Sequence, residues 1–228
     1  MRIITAAIKL FGERGFEGAS TRDIATNAGV NAPALQYYFD SKEGVYLACV
    51  EHIVSLIWEA LSEAVERAEA AVRRGAGDDE LIDAFCEIQA QLAEFMFTSR
   101  SADDWRLFMA QQQAGSGPIA GFQIIYQRVS KRMSEAMATI VGRLLGRPAN
   151  DDETLLRTMA LSGQLMVFQV ARRTVLTKLD WDSINAERLA LIKRVIREQT
   201  AALMRWMLAS RGAARPAPRR PAGRRAIQ

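Results

Sequence analysis

Apolar residues recur three and four positions apart along almost the whole chain, and this period constrains the fold more than any other feature of the sequence. A first instance puts five apolar side chains on one face of a helix: Ile3, Ala6, Ala7, Leu10 and Phe11. Alternating β-branched runs bounded by turn residues, which mark strands, are absent from the sequence. The pattern therefore predicts an all-α protein.

Helix start and stop signals divide the first 45 residues into short helices. Gly12 and Gly15 are expected to end the first helix. Ser20 and Asp23 fit a capping box at the start of the second, in which the serine oxygen accepts from the backbone N–H of residue 23 and the carboxylate reaches back. Gly29 closes this helix and supplies the backbone freedom for a tight turn.

The next segment completes a helix-turn-helix pattern. Asn31 can cap a third helix, with Pro33 in its first turn, and Ser41 can cap a fourth. Val30 is expected to pack under the turn. Three short helices with a glycine turn between the second and third are typical of a DNA-binding head whose third helix lies in the major groove.

The third predicted helix carries side chains suited to contacting DNA. Small residues at its start would let it approach the groove floor, and Gln36 can pair with adenine N6 and N7. The two tyrosines, and polar or basic residues at the starts of the second and fourth helices, are placed to hold phosphates. The predicted DNA-contact residues are Thr21, Arg22, Asn31, Ala32, Pro33, Ala34, Gln36, Tyr37, Tyr38 and Lys42.

Residues 3–50 resemble the head of the tetracycline-repressor (TetR) family. Three blocks carry the resemblance: GFEGASTRDIA at 15–25, AGV at 28–30 and LQYYFDSKEG at 35–44. The resemblance implies transcriptional regulation and the same DNA-contact residues apart from Asn31. The family commonly has tyrosine at the position of Gln36 and often histidine at that of Tyr38, so its base preference is not transferred to this chain.

After residue 45 the predicted helices lengthen. We expect helices over 42–73, 79–99, 103–113, 118–146, 152–179 and 184–209. This gives a DNA-binding head at 1–45, a ligand-binding and dimerising body at 46–210 and a disordered Arg/Pro/Ala tail at 211–228. The tail holds six arginines and no acid, so the net charge of +4 becomes −2 for residues 1–210. Those arginines either add non-specific DNA affinity or keep the end of the chain solvated.

The last predicted helix has an apolar arc wider than packing on one side requires. A helix that buries two sides suits contact with its own core and with a second chain. The helices over 152–179 and 184–209 are therefore predicted to form a four-helix bundle across a two-fold axis. A deeply buried helix in a monomer is the alternative. The predicted dimer-interface residues are Leu189, Ile192, Ile196, Leu203 and Trp206.

The middle helices are rich in Phe, Met and Trp. Most of these side chains are expected in the core, and a subset in an apolar effector cavity, with polar groups from Gln112, Gln123, Gln164, Gln169 or Arg172. The predicted effector-binding residues are Trp105, Met109, Phe122, Tyr126, Met166 and Gln169. Residues 163–172 (GQLMVFQVAR) and the Asp180-Trp181 pair resemble the C-terminal domain of the CecR-like branch of the family, which is associated with antibiotic and toxic-compound response.

Other classes of function have little support in the sequence. His52 is the only histidine and the phosphate-binding glycine patterns are absent, so we expect no enzyme and no cofactor. Cys49 and Cys86 are expected to be buried free thiols, and no metal site is expected. No run of about 18 apolar residues and no export signal is present, so a cytoplasmic protein is expected.

The favoured function is a homodimeric repressor that binds a palindromic operator in double-stranded DNA and is released by a small, largely hydrophobic effector. A DNA-binding architectural protein without a ligand is one alternative. A small all-α enzyme is the other.

Overall fold

In the computed structural model the described residues are 1–98 and 102–211, and the side chains of residues 102–104 are not described. The predicted break at 99–101 and the predicted tail beyond residue 211 lie outside the described residues. No strand occurs in the described part, so the all-α prediction is confirmed. That part forms twelve α-helices and one π-helical turn (Tyr126–Ser130): α1 (Arg2–Gly18), α2 (Thr21–Ala28), α3 (Ala32–Phe39), α4 (Lys42–Arg73), α5 (Asp78–Thr98), α6 (Ala102–Gln113), α7 (Ile119–Ile125), α8 (Lys131–Leu145), α9 (Asp152–Gly163), α10 (Met166–Val170), α11 (Arg172–Leu179) and α12 (Ala186–Ala209).

Two long predicted helices differ from the structure. The helix predicted over 118–146 is a helical rod in which the π-helical turn joins α7 to α8. The helix predicted over 152–179 is wrong, because the chain breaks into α9, α10 and α11. At the first break Leu165 is fully buried, and the Gln164 amide donates to Thr200 Oγ1 on α12 at 3.2 Å. Gly163 ends α9, and these tertiary contacts hold the chain at the break.

Helix starts in the head agree with the predicted caps, and α1 is longer than predicted. Gly12 lies inside α1, whereas Gly15 (φ 70°, ψ 175°) kinks the helix before it ends at Gly18. The Asp23 carboxylate contacts Arg14 at 3.3 Å and does not reach back to complete the predicted capping box. The confirmed caps are Asp23 N–H to Ser20 Oγ (3.1 Å), Ala34 N–H to Asn31 Oδ1 (2.8 Å) and Gly44 N–H to Ser41 Oγ (3.0 Å).

A buried aromatic cluster joins the head to the body. Tyr46 on α4 is 1% exposed, and its ring centre lies 5.0 Å from that of Phe11, 5.3 Å from that of Phe16 and 4.6 Å from that of Phe108. The Tyr46 hydroxyl donates to Gln112 Oε1 at 2.6 Å. Burial raises the pKa of Tyr46 well above its usual range, so the hydroxyl keeps its proton and remains a donor. Side chains from α1, α4 and α6 thus meet at one residue.

Three apolar cores fill the described chain. The first core contains this aromatic cluster and runs from the head to α6. The second lies among α4, α5, α8, α9 and α12, and the third groups Leu165 with the first half of α12. Cys49 in the first core and Cys86 in the second are buried free thiols, as predicted. Burial raises the pKa of Cys86 to about 11, so this thiol is protonated and unreactive at neutral pH.

The central helix α4 belongs to both the head and the body, and it packs against α1, α5, α7 and α8. Its most apolar 18-residue window has a mean hydropathy of 1.4, which by length and composition alone would suit a membrane span. The helices packed around α4 account for this apolar character, since a core helix meets apolar neighbours on several sides. Arg132 on α8 adds two hydrogen bonds to Glu69 of α4, at 2.8 and 2.9 Å.

Removing the Tyr46 hydroxyl tests the junction between head and body. Tyr46→Phe keeps the ring but leaves Gln112 Oε1 without its donor in a buried site, so the free energy of unfolding in urea should fall by about 1–3 kcal/mol. Tyr37→Phe is the matched control, since Tyr37 is 82% exposed, and should change that free energy by less than about 0.5 kcal/mol. Equal stability of the two variants would contradict the role of the hydrogen bond.

Candidate nucleic-acid interface

Helix α3 is attached to the head by few side chains and exposes the rest. Leu35 is its one buried residue, at 1% exposure, and Phe39 is half-buried against the first core. Tyr37 and Tyr38 are 82% and 70% exposed, and their rings meet edge-on with centres 5.4 Å apart. Two large aromatic side chains standing in water on one short helix indicate a binding surface.

Most of the predicted DNA-contact residues share this outer surface of the head. Gln36 is exposed beside the two tyrosines. Thr21 and Ala34 are half-buried, and the other members of this group are exposed: Arg22, Asn31, Ala32 and Pro33. The small side chains at the start of α3 leave its backbone accessible, so the helix can approach a partner closely.

A left-handed glycine shapes the turn between α2 and α3. Gly29 has φ 67° and ψ 37°, a conformation that L side chains adopt only with strain. The Val30 N–H donates to Ala25 O at 3.0 Å, and the Val30 side chain is half-buried against the first core. The predicted roles of both residues are confirmed, and together they set the angle at which α3 leaves the head.

The end of α3 lies very close to the start of α4. Asp40 ends α3 with a positive φ (φ 55°, ψ −40°), and its N–H donates to Gln36 O at 3.0 Å. A Cβ added to Gly44 would lie under 3.0 Å from the Phe39 carbonyl oxygen. Only glycine fits there, so Gly44 holds α3 at a fixed position against α4.

Charge is balanced across the head, since residues 1–45 contain five basic and five acidic residues. Arg22 is exposed and forms no ion pair with any described residue. Lys42 is engaged inside the head: its ammonium lies 4.5 Å from the centre of the Phe16 ring and 3.7 Å from the Glu17 carboxylate. Lys42 therefore fastens α4 to α1 in this structure, and a phosphate contact by Lys42 requires that it leave Glu17.

The five residues predicted at the dimer interface separate into two groups. Leu189, Ile192 and Ile196 are at most 4% exposed and pack in the third core of their own chain, so they form no surface for a second chain. This corrects the predicted set, because the first half of α12 turns its apolar stripe inward to cover Leu165 and Ala93. Leu203 and Trp206 are 46% and 54% exposed.

None of the grooves formed by the described residues gathers the whole set predicted to bind an effector. Trp105 and Met109 are buried in the first core. Phe122 and Tyr126 are about half exposed, and their rings stack with centres 6.2 Å apart on the outside of α7 and the π-helical turn.

Two of the open grooves in the described body contain residues singled out by the sequence. Gln169 lines a groove of about 550 Å³ between α6 and α11, whereas Met166 is half-buried between the first and third cores. A second groove of about 650 Å³ lies between α9 and α12 and is lined by Leu203 and Gln164. Gln164 Oε1 is buried there without a hydrogen-bond partner in the described chain.

The residues that position the head were missed at the sequence level. A signal existed for Gly44, because glycine in the first turn of a long helix is unfavourable unless a close approach demands it. The role of Tyr46 had no signal in the sequence. An aromatic residue at a helical core position does not indicate which helix supplies the hydrogen-bond acceptor for its hydroxyl.

Sequence comparison matches both parts of the chain to known families. Residues 3–49 match the family described as bacterial regulatory proteins, tetR family, and residues 81–207 match the C-terminal domain of the HTH-type transcriptional dual regulator CecR. The CecR protein of Shigella flexneri is 30% identical over 199 residues, which cover 86% of this chain and 86% of that one.

Solved structures share the fold. AmtR of Mycobacterium smegmatis superposes with a TM-score of 0.56 at 18% identity, covering 94% of each chain. The TetR family transcriptional regulator PfmR of Thermus thermophilus superposes with a TM-score of 0.52 at 21% identity, covering 92% of this chain and 98% of that one.

A methyl group at residue 44 tests the contact between α3 and α4. Gly44→Ala places its Cβ against the Phe39 carbonyl, so the helices must move apart, and the free energy of unfolding should fall by about 1–3 kcal/mol. Gly163→Ala is the control, since nothing lies within 4 Å of a Cβ added there. Urea denaturation measures both variants, and a Gly44→Ala protein as stable as the control would show that the junction tolerates a side chain.

Proposed function

The chain belongs to the TetR family of bacterial regulatory proteins, with a CecR-type C-terminal domain, and from this premise we propose that it is a cytoplasmic homodimeric repressor released from its operator by a small, largely hydrophobic effector. DNA-binding transcriptional regulation itself follows from the family. The observation that carries the proposal is the outer face of α3, where Gln36, Tyr37 and Tyr38 stand exposed on a helix anchored by Leu35.

The chemistry of the head residues assigns them different tasks on DNA. Gln36 is the residue for direct base contact, because its amide can donate to adenine N7 and accept from N6. Tyr37 and Tyr38 carry hydroxyls on rigid arms that suit phosphate oxygens, and Arg22 supplies an exposed positive charge at the start of α2. With charge balanced over residues 1–45, hydrogen bonds and shape must contribute much of the affinity of each head.

Exposed apolar side chains on α9 and α12 support a dimer. Large apolar side chains are exposed on both helices, and Leu203 lines the 650 Å³ groove between them. A two-fold axis beside them would pair α9 and α12 with the same helices of a second chain in a four-helix bundle. The proposed interface residues are Leu156, Met159, Leu203 and Trp206.

Release by an effector needs a route from the body to the head. Helix α6 supports such a route, because Phe108 and Gln112 on α6 both contact Tyr46 of α4. A ligand that displaces α6 would move α4 and α1 together and change the spacing of the two heads. Release further requires that the ligand bind the displaced arrangement more tightly, since equal binding to both arrangements shifts nothing.

Variants of α3 and α2 separate base contact from phosphate contact. Gln36→Ala should lower affinity for the native upstream duplex of its own gene by about 1–3 kcal/mol per head while leaving affinity for a scrambled duplex unchanged. Arg22→Gln should weaken both duplexes evenly and reduce the slope of log affinity against log salt by about 1 per head. Fluorescence anisotropy at two salt concentrations measures both effects.

Lys131→Gln, an exposed lysine at the start of α8, is the charge-matched control and should bind both duplexes as wild type does. If Gln36→Ala lost affinity equally for native and scrambled DNA, Gln36 would not read a base. Unchanged binding in both head variants would exclude this surface as the DNA interface.

A charge placed on the exposed face of α12 tests the dimer. Leu203→Glu should give a monomer in sedimentation experiments, because two carboxylates would face each other across the axis, and should weaken binding to a two-half-site duplex by about tenfold or more. Leu179→Glu is the control, at a similarly exposed leucine (48%) at the end of α11. A Leu203→Glu protein that sediments as wild type would place the interface elsewhere.

A further inference from the structure

The groove between α6 and α11 combines apolar walls with clustered positive charge. Its volume is about 550 Å³, within the range of about 300–1,000 Å³ that holds small molecules. Leu107 and Val170 line it and are 50% and 76% exposed, and Leu176 is half-buried beside them. Large apolar side chains left in water within one concave surface favour an apolar occupant.

Arg106, Arg172 and Arg173 line the same groove, and none of the described residues that line it is acidic. Neither Arg172 nor Arg173 forms an ion pair with another described residue. Burial lowers the pKa of Arg106, and the neighbouring charge of Arg172 lowers it further. Guanidinium groups that line one groove repel one another, and an anion bound among them reduces this repulsion.

We propose that this groove is an effector site for an organic anion with an apolar body, whose oxyanion head binds Arg172 and Arg173 and whose body packs on Leu107, Val170 and Leu176. Guanidinium groups bind carboxylate, sulfonate and phosphate oxygens through paired N–H donors, and the apolar walls cover the rest of the molecule. This proposal specifies the chemical class of the effector. It rests on the proposed function only for the effect of the bound anion on DNA binding.

Helix α6 connects this site to the head through its two opposite faces. Residues 106, 107, 110 and 113 line the groove, whereas residues 105, 108, 109 and 112 are buried against the head. On the buried face Phe108 stacks on Tyr46, and Gln112 accepts the Tyr46 hydroxyl. A ligand that draws α6 toward α11 therefore acts directly on the contact between α6 and α4, and bound anion and bound DNA should weaken each other by the same factor.

Binding of a simple probe tests the site in the full-length protein. Decanoate is the anionic probe and decyltrimethylammonium, with the same apolar chain, is the cationic control. Calorimetry should show decanoate binding to wild type and at least about tenfold weaker binding to the Arg172→Gln, Arg173→Gln double variant. Lys178→Gln, on α11 but outside the groove lining, should bind decanoate as wild type does.

A second variant keeps both arginines and changes the wall. Leu107→Asp introduces a negative charge at a 50% exposed position, so it should fold normally and weaken decanoate binding, while the three arginines still exclude decyltrimethylammonium. Equal binding of the two probes to wild type, absence of decanoate binding to wild type, or unchanged decanoate binding to the double variant would each overturn the assignment.

Measurements on DNA separate this proposal from the proposed function. Without probe, the double variant should bind operator as wild type does, and decanoate should weaken operator binding by wild type but not by the double variant. If the double variant loses DNA affinity without probe, the arginines contact DNA and the groove is no effector site. If wild type binds no preferred DNA while decanoate still requires Arg172 and Arg173, the proposed function fails and the anion site stands.

Discussion

The contact between Tyr46 and α6 is the interaction on which the rest of the structure depends. Tyr46 lies inside α4, stacks on Phe108 and donates to Gln112 Oε1 at 2.6 Å, while Phe11 of α1 closes the other side of the ring. The loop after α6 is fitted to this contact, because a Cβ added to Gly117 would lie under 3.0 Å from both the Tyr46 hydroxyl and Gln112 Oε1. Polar and apolar contacts at one buried residue therefore hold α1, α4 and α6 in fixed positions relative to one another.

The spacing of its residues lets helix α6 contact both the head and the groove proposed to bind an anion. One face is buried with the head, and the opposite face lines the groove that contains Arg106. Because a helix moves as a unit, the proposed ligand on one face and DNA on the head would compete for the position of α6 without sharing a contact. A packed interface of this kind has few intermediate positions, so a small displacement of α6 should favour one arrangement of the heads over another.

The surfaces left open by the fold are chemically distinct. Helix α3 offers hydrogen-bonding groups and two aromatic rings, the face of α9 and α12 offers apolar side chains, and the groove beside α6 offers positive charge over apolar walls. The position of each surface is fixed by contacts close to it. Leu35 and Gly44 fix the position of α3, and Tyr46 fixes that of α6. The second and third cores fix the position of α12. This arrangement fits a protein in which DNA, a second chain and a small molecule bind at separate places and influence one another through α4 and α6.

The sequence by itself determined what is local. Apolar spacing and capping residues predicted the helices of the head, the caps at Ser20, Asn31 and Ser41, the left-handed turn at Gly29 and the exposed character of Gln36 and Tyr37, because these depend on backbone geometry within a few residues. The tertiary structure alone decided which side of α12 is buried, where the chain breaks after Gly163, that Lys42 pairs with Glu17, and that Arg106 and Arg172 share a groove. An amphipathic helix specifies that one face will be covered, but the covering partner is supplied by a distant part of the chain, and residue spacing along a single helix carries no information about that partner.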